Sequence, residues 1–390
     1  MESIFPPLIG LYEEPLIQFV DHMIHHAHQQ GASDIHIEPQ ENTIRLRYRQ
    51  DGLLYEVAQI QPHWALRIIT RLKVMADLDI SERRQPQDGH FQISAPQHQT
   101  LDVRISSCPT LHGEKIVLRL LDNSQLVFAL DKLGFTGLQK ELFLKKISQP
   151  QGLILVTGPT GSGKTITLYS ALDYLNVKEK NILTIEDPIE IQLEGLNQVP
   201  LNTKVGLDFA TTLRAFLRQD PDIIMVGEIR DLETAKIAIQ AAQTGHLVLS
   251  TLHTNSAVET VTRLLSMGID PYQVAQALTL IIAQRLIRKL CPLCKQAETA
   301  PLITEGEQKN KGYRASGCPC CRYGYKGRIA IFECLDLSEA LIPLLSNNMD
   351  INLLVKAAQA EGFKTLRENG LEKIRQGETS FAELNRVILR

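Results

Sequence analysis

The stretch that most constrains this chain is Gly158-Pro159-Thr160-Gly161-Ser162-Gly163-Lys164-Thr165. It lies between an apolar run, Leu153-Ile154-Leu155-Val156, and a helical stretch that begins at Lys164. Strand, glycine-rich loop and helix, in that order, are what a phosphate-binding P-loop requires. The glycines let successive backbone N–H groups turn inward around phosphates. Lys164 reaches the outer phosphates, and the Thr165 hydroxyl is offered to Mg²⁺. The remaining question is what the rest of the chain does with a bound nucleotide.

The residues after the loop build a sheet around it. Asn181-Ile182-Leu183-Thr184-Ile185 is a short apolar strand ending in Glu186-Asp187-Pro188-Ile189-Glu190. A second strand, Asp222-Ile223-Ile224-Met225-Val226, runs into Gly227-Glu228-Ile229-Arg230-Asp231. A third, residues 247–251, is bracketed by His246 and His253. Helical stretches are expected near 209–218, 232–244 and 272–288, which predicts an α/β core, a parallel sheet with helices on both faces. Carboxylates at the carboxyl ends of such strands face the ligand crevice. Glu228 is therefore placed for Mg²⁺ or the attacking water, whereas Asp222 opens its strand at the wrong end. Asp231 reads as the N-cap of the next helix. Either histidine alone would read as an ordinary core residue, and their shared strand makes both candidates.

Ahead of this core, residues 16–30 carry apolar positions at helical spacing. Its four histidines, the His22/His26 pair included, read as a solvated face rather than a metal site. Residues 34–38 follow, and residues 43–49 then alternate strictly, with Ile44, Leu46 and Tyr48 on one face and Arg45, Arg47 and Arg49 on the other. Asp51-Gly52 closes a hairpin onto residues 53–58. A helix over 62–77 and strands over 100–106 and 115–121 complete a small α/β domain with its own core. The three-arginine face is either a charged outer surface or an anion site, and Arg104 and Arg119 pose the same question. The expected layout is a first domain over 1–122, a linker over 123–135, the nucleotide core over 136–289, a cysteine element over 290–335 and a helical region over 336–390 with breaks at Gly362, Gly370 and Gly377.

Of seven cysteines, five fall between Cys291 and Cys321. The two C-x-x-C pairs, Cys291/Cys294 and Cys318/Cys321, have the count and spacing of a closed structural zinc site. Cys320 competes for one place. Cys108 and Cys334 read as ordinary buried thiols. No uninterrupted apolar run has membrane-spanning length, and Met1-Glu2-Ser3-Ile4-Phe5-Pro6-Pro7 has neither a basic n-region nor a long apolar one, so a cytoplasmic protein is expected. A net charge of −3 and 5% aromatic residues argue against a nucleic-acid groove, which would be basic and aromatic-studded.

Taken together the motifs closely resemble the secretion and pilus-assembly ATPases. The match includes Gly31-Ala32-Ser33-Asp34-Ile35-His36-Ile37-Glu38-Pro39, Tyr48-Arg49-Gln50-Asp51-Gly52 and Pro86-Gln87-Asp88-Gly89. It continues through the P-loop, the acidic box from Glu186 to Glu190, the run from Asp220 to Asp231, Gly245-His246, Thr251-Leu252-His253-Thr254-Asn255, the four cysteines and Gly324-Tyr325-Lys326-Gly327-Arg328. The resemblance implies a RecA-like P-loop NTPase core preceded by a PAS-like α/β domain, with a zinc-binding insertion and a C-terminal helical region. It implies a homohexamer, peripheral at the cytoplasmic face of the inner membrane. There ATP hydrolysis between the two domains drives a platform protein that assembles a type IV pilus or type II secretion pseudopilus. ATP, Mg²⁺ and a structural Zn²⁺ follow, and no direct nucleic-acid binding is expected. Arg104 and Arg119 then fall in strands facing the nucleotide. Glu228 ranks first for Mg²⁺ and water, Glu186 second as base or water-positioner, and His246 and His253 would sense the γ-phosphate and connect it to the neighbouring subunit. Retraction ATPases of this fold generally lack the tetracysteine element, which favours assembly. Longer members carry an additional N-terminal docking domain, and because this chain starts almost directly at the Gly31–Pro39 segment, that docking mode is not expected. The alternative from another class is a nucleic-acid translocase with a RecA-like core and a zinc ribbon.

Overall fold

The computed structural model describes residues 13–94, 100–121, 130–299, 311–346 and 350–388. The first residues of the chain and the linker positions 123–129 lie outside them. The chain divides into two compact units, Met1–Leu126 and Val127–Arg390.

The first unit comprises α1 (Glu13–Gln29), β1 (Ala32–Pro39), β2 (Ile44–Gln50), β3 (Leu53–Ile60), α2 (Ala65–Met75), β4 (Gln87–Ser94), β5 (Thr100–Thr110) and β6 (Gly113–Leu121). All six strands form one antiparallel sheet in the order β3-β2-β1-β6-β5-β4. Period-two patterning sends Ile35, Ile37, Leu46, Tyr48, Val103, Ile105, Ile116 and Leu118 into a core shared with Phe19, Val20, Met23 and Ile24 of α1 and with Ile68 and Leu72 of α2. Asp51 (φ 50°) and Gly52 (φ 83°) both adopt the left-handed conformation that the β2–β3 turn demands. The helix expected over 62–77 starts as a single 3₁₀ turn, Pro62–Trp64, before α2. Strand β4 escapes sequence reading because only Phe91 and Ile93 of its eight residues are large and apolar.

The second unit comprises α3 (Gly137–Ile147), β7 (Gly152–Thr157), α4 (Lys164–Leu175), β8 (Ile182–Glu186), β9 (Asn197–Pro200), α5 (Phe209–Phe216), β10 (Ile223–Val226), α6 (Leu232–Gln243), β11 (Leu247–Leu252), α7 (Ala257–Ser266), α8 (Pro271–Ala277), β12 (Leu278–Leu290), β13 (Gln296–Thr299), β14 (Lys311–Arg314), β15 (Tyr325–Asp336), α9 (Ile342–Ser346), α10 (Ile351–Ala360), α11 (Leu366–Arg375) and α12 (Phe381–Val387). Seven strands form a sheet in the order β15-β12-β7-β11-β10-β8-β9. Every pairing in it is parallel except that of the edge strand β15 with β12. Strands β7 and β11 are buried at every position, so their apolar runs are continuous rather than alternating. Ile154, Val156, Met225 and Leu249 face one core, with Leu168 and Leu172 of α4. Leu153, Leu155, Ile224 and Val248 face the other, with α5 to α8 and the C-terminal helices.

Two expectations are corrected. The helix predicted over 272–288 ends at Ala277, and the chain continues as the 13-residue strand β12. A long apolar run has no periodicity to separate helix from strand, and the two-sided pairing with β7 and β15 decides it. Gly370 does not break the C-terminal region but lies inside α11. A Cβ there would sit 2.2 Å from Leu384 Cδ1, so this glycine lets α11 and α12 approach closely. Gly362 (φ 94°) and Gly377 (φ 71°) do fall between helices.

Candidate functional site

The P-loop leaves β7 at Thr157 and enters α4 at Lys164. Gly158 (φ 147°), Gly161 (φ 78°) and Gly163 (φ 90°) take backbone conformations that a side chain would oppose. Lys164 is buried, and its ammonium donates to the carbonyl oxygens of Gly158 (2.8 Å) and Pro159 (3.3 Å). Burial lowers its pKa below the ordinary lysine value, and the positive charge of Arg285 adds to that, while Glu228 opposes it. Loop, cation and helix amino end together make a polyanion cradle.

Register brings the expected carboxylates to the same end of the sheet. Ile185 stands beside Val226, and Leu252 beside Thr157, so Glu186, Glu228 and His253 all follow the carboxyl ends of neighbouring strands. Glu228 is half-buried. One of its oxygens pairs with Arg230, and Oε2 lies 3.3 Å from His253 Nε2. Arg230 also holds Asp187 at 3.1 Å, and the hydrogen bond to Glu228 raises its pKa above the ordinary arginine value. The turn carrying Glu228 is sewn to β11 by Thr251 Oγ1 donating to Gly227 O (2.7 Å) and Ile229 N–H donating to Thr251 O (3.0 Å). Asp231 caps α6, accepting from Thr234 N–H at 2.8 Å. Glu186 is surrounded differently. It is buried and accepts from the Tyr169 hydroxyl, Thr184 Oγ1 (2.7 Å) and Gln198 Nε2 (3.0 Å).

His246 is not part of this cluster. It precedes the amino end of β11, where its ring lies 3.0 Å from the carbonyl of Ala241, and the six-residue strand separates it from His253 by roughly 20 Å. Arg230 is a polar partner to which the sequence alone assigns no role. Its signal is its place two residues after Glu228.

Within the first unit, register lines up Arg49, Asp34, Arg119, Arg104 and His90 in one row across β2, β1, β6, β5 and β4. Asp34 is buried and takes Arg119 Nε at 3.1 Å and Arg49 Nε at 3.5 Å. Arg45, Arg47 and Lys115 converge on Glu38 at 3.0, 2.8 and 3.0 Å. Their cationic partners hold the Glu38 carboxyl down at about 2 against the opposing effect of burial. The three-arginine face is thus a surface whose charges are answered by the carboxylates of β1.

Cys291, Cys294, Cys318 and Cys321 come together, their sulfurs all within 4.8 Å of one another. The pairs 291/318, 294/321 and 318/321 lie 3.9, 3.6 and 3.6 Å apart. Four thiolates about 2.3 Å from a tetrahedral zinc would stand about 3.8 Å apart, so the donor set fits that ion. Gly317 N–H points at Cys294 Sγ (3.3 Å), the kind of outer hydrogen bond that steadies a metal thiolate. Cys320 is exposed and stays outside the group. Cys108 is exposed as well, contrary to the buried thiol expected, because position 108 falls on the outer face of β5. Cys334 is held in the sheet, where burial pushes its thiol pKa up.

Three-layered sheet, P-loop and acidic strand ends define a P-loop NTPase. The family described as "Type II/IV secretion system protein" matches residues 11–386, and the chain belongs to that family. The type IV pilus assembly ATPase PilB of Pseudomonas aeruginosa is 52% identical over 383 residues, covering 96% of this chain and 68% of that protein. The type II secretion system ATPase E of Vibrio cholerae is 47% identical over 386 residues, covering 96% and 76%. Among solved structures, the pilus retraction motor PilT with bound ADP aligns with a TM-score of 0.63 at 28% identity, covering 95% of this chain and 97% of that one. The ATPase DotB of Legionella pneumophila shares the fold, with a TM-score of 0.71 at 23% identity and 94% coverage of both chains. The protein is an ATPase of the secretion superfamily. The nucleic-acid translocase alternative finds no support in these relatives.

Proposed function

We propose that this ATPase works as a cytoplasmic homohexamer that powers assembly of a type IV pilus or type II secretion pseudopilus through an inner-membrane platform protein. The observation that carries the reading is the placement of Lys164 and Glu228 beyond the carboxyl ends of the parallel strands β7 and β10, with only β11 between them, in a chain about half identical to a pilus assembly ATPase. The loop from Gly158 to Thr165 takes the phosphates of ATP, and Thr165 and Glu228 serve the Mg²⁺ shell. Were Mg²⁺ bound, Glu228 would be a residue to hold it or its water, and Arg230 and His253 are the side chains that would give up their pairing with Glu228. Glu186 keeps its strand end and the 187–200 loop in place. His253 is the histidine that senses the γ-phosphate, while His246, remote from this loop, is left to contacts beyond its own nucleotide. Arg104 and Arg119 supply positive charge to the transferring phosphoryl group. The four cysteines would hold a structural zinc, which lends stability rather than chemistry. No described helix is long and apolar enough to cross a membrane.

The direct test is deletion of the gene scored in parallel for piliation, secretion and DNA uptake, complemented with wild type, Lys164→Ala or Glu228→Gln. Loss of one filament system, restored by wild type alone, is the expected result. Restoration by Lys164→Ala would remove the motor reading.

A further inference from the structure

Strand β12, which sequence reading missed, runs beside β7 and carries two adjacent polar side chains that the site described above does not use. Gln284 is 2% exposed. Its Nε2 donates to the carbonyl of Ser162 inside the P-loop (2.9 Å), and its Oε1 accepts from Thr167 Oγ1 in the first turn of α4 (2.7 Å). The loop has been shaped around this contact. A Cβ on Gly163 would stand 2.9 Å from Gln284 Nε2, and one on Gly158 would stand 2.5 Å from the Gln284 carbonyl oxygen and 3.2 Å from Arg285 Nη1. The backbone of β12 therefore leaves no room for a side chain at position 158, and the Gln284 amide occupies the place that one at position 163 would take.

Arg285 is 8% exposed, yet among the described residues it forms no ion pair. Its fork is spent on neutral oxygens. Nη2 donates to both the carbonyl (2.9 Å) and the side-chain oxygen (3.1 Å) of Asn255, and Nη1 donates to Gln284 O (3.0 Å). Asn255 lies two residues beyond His253, whose ring faces Glu228. A buried guanidinium is costly to desolvate, and here its donors join the wall of the P-loop to the segment carrying the histidine.

We propose that Gln284 and Arg285 are positioning residues of the nucleotide site. Gln284 sets the curvature of the P-loop, and Arg285 fixes the His253–Asn255 segment against it. The proposal rests on the P-loop reading above, and Lys164→Ala tests that reading separately. Because Gln284 touches the cradle itself, its loss acts on ground-state nucleotide binding. Because Arg285 acts on the neighbouring segment, its loss acts on turnover.

The experiment uses the full chain and measures the Kd of a fluorescent ADP analogue, the kcat and KM for ATP, and the melting temperature without nucleotide. Gln284→Leu is expected to raise Kd about tenfold with a smaller change in kcat, and Arg285→Gln to lower kcat about tenfold while Kd moves less than about threefold. Gln284→Glu, which still accepts from Thr167 but cannot donate to Ser162, reports the same effect should the leucine variant fail to fold. Arg285→Lys keeps the charge and loses the fork, so it should not restore kcat. Unaltered Kd and kcat, losses that only track the folded fraction, or full rescue by lysine would each overturn the proposal. Retained nucleotide binding in Lys164→Ala would overturn the site assignment beneath it, and the proposal with it.

Discussion

Glu186 and Glu228 end neighbouring parallel strands, and their surroundings give them different tasks. Glu186 is buried and accepts from three donors, so its carboxylate has no freedom to follow a metal or a water. Glu228 is half-buried, and among the described residues its ion-pair partners are side chains that can move, Arg230 and His253. Glu228→Gln is expected to keep nucleotide affinity and lower kcat by roughly two orders of magnitude or more, while leaving the melting temperature unchanged. Glu186→Gln turns an amide donor toward a site built of donors and should destabilise the protein by about 1–3 kcal/mol, read as a fall in melting temperature. A Glu186→Gln protein that melts like wild type would contradict the structural role. Both residues were legible in sequence as acids closing apolar strands. Their ranking was legible only in part, because the donors around Glu186 come from residues up to 17 positions away.

At the scale of elements, the C-terminal helices are fastened to the sheet by a buried charge cluster. Glu383 on α12 accepts from the backbone N–H of Arg288 (2.9 Å) and from its guanidinium (2.7 and 3.0 Å), and from Arg386 (2.6 and 2.8 Å). Tyr325 stacks on the same guanidinium at 4.0 Å. Burial alone would raise the Glu383 pKa, but these donors outweigh it and hold the group at about 2 against an ordinary 4.5. A depressed acid contributes stability above its unfolded pKa and loses it as pH falls through the folded one. The contribution, of order 3 kcal/mol, is thus complete near neutrality and disappears between about pH 4.5 and 2. Glu383→Gln should lower the melting temperature at pH 7, and its difference from wild type should shrink across that acid window. A difference independent of pH would show that the charge is not what matters. None of this was visible while β12 was read as a helix. Elements with clear period, such as β2 and its Asp51-Gly52 turn, or with a motif, such as β7 and α4, were legible. The 13-residue strand β12 was not, since burial on both faces along most of its length erases the pattern. Gly370 misled for the opposite reason, because its use is tertiary contact with Leu384 and not a change of backbone direction.

At the scale of the molecule, the chain carries two compact units, and a thiol cluster in the second. The cysteine group lies at the end of β12: Cys291 follows Leu290, and its N–H donates to Gly324 O (2.8 Å) at the start of β15. A zinc there would tie the two longest strands of the sheet at their far ends, remote in sequence from the P-loop. Metal analysis of protein purified under reducing conditions should give about one zinc per chain, and Cys318→Ser or Cys294→Ser should abolish it while Cys320→Ser and Cys108→Ser should not. Because a structural metal contributes folding energy, its removal by a strong chelator should lower the melting temperature. The P-loop and its carboxylates belong wholly to the second unit, whereas Arg104 and Arg119 belong to the first. If those arginines act on the transferring phosphoryl group, Arg104→Gln and Arg119→Gln should lower kcat by about tenfold to a thousandfold while nucleotide affinity changes little. Asp34→Asn should reproduce a part of the Arg119 defect, since its carboxylate is what holds that guanidinium at 3.1 Å. Equal loss of binding and turnover would instead place the arginines in general stability, and undiminished kcat would remove them from the reaction.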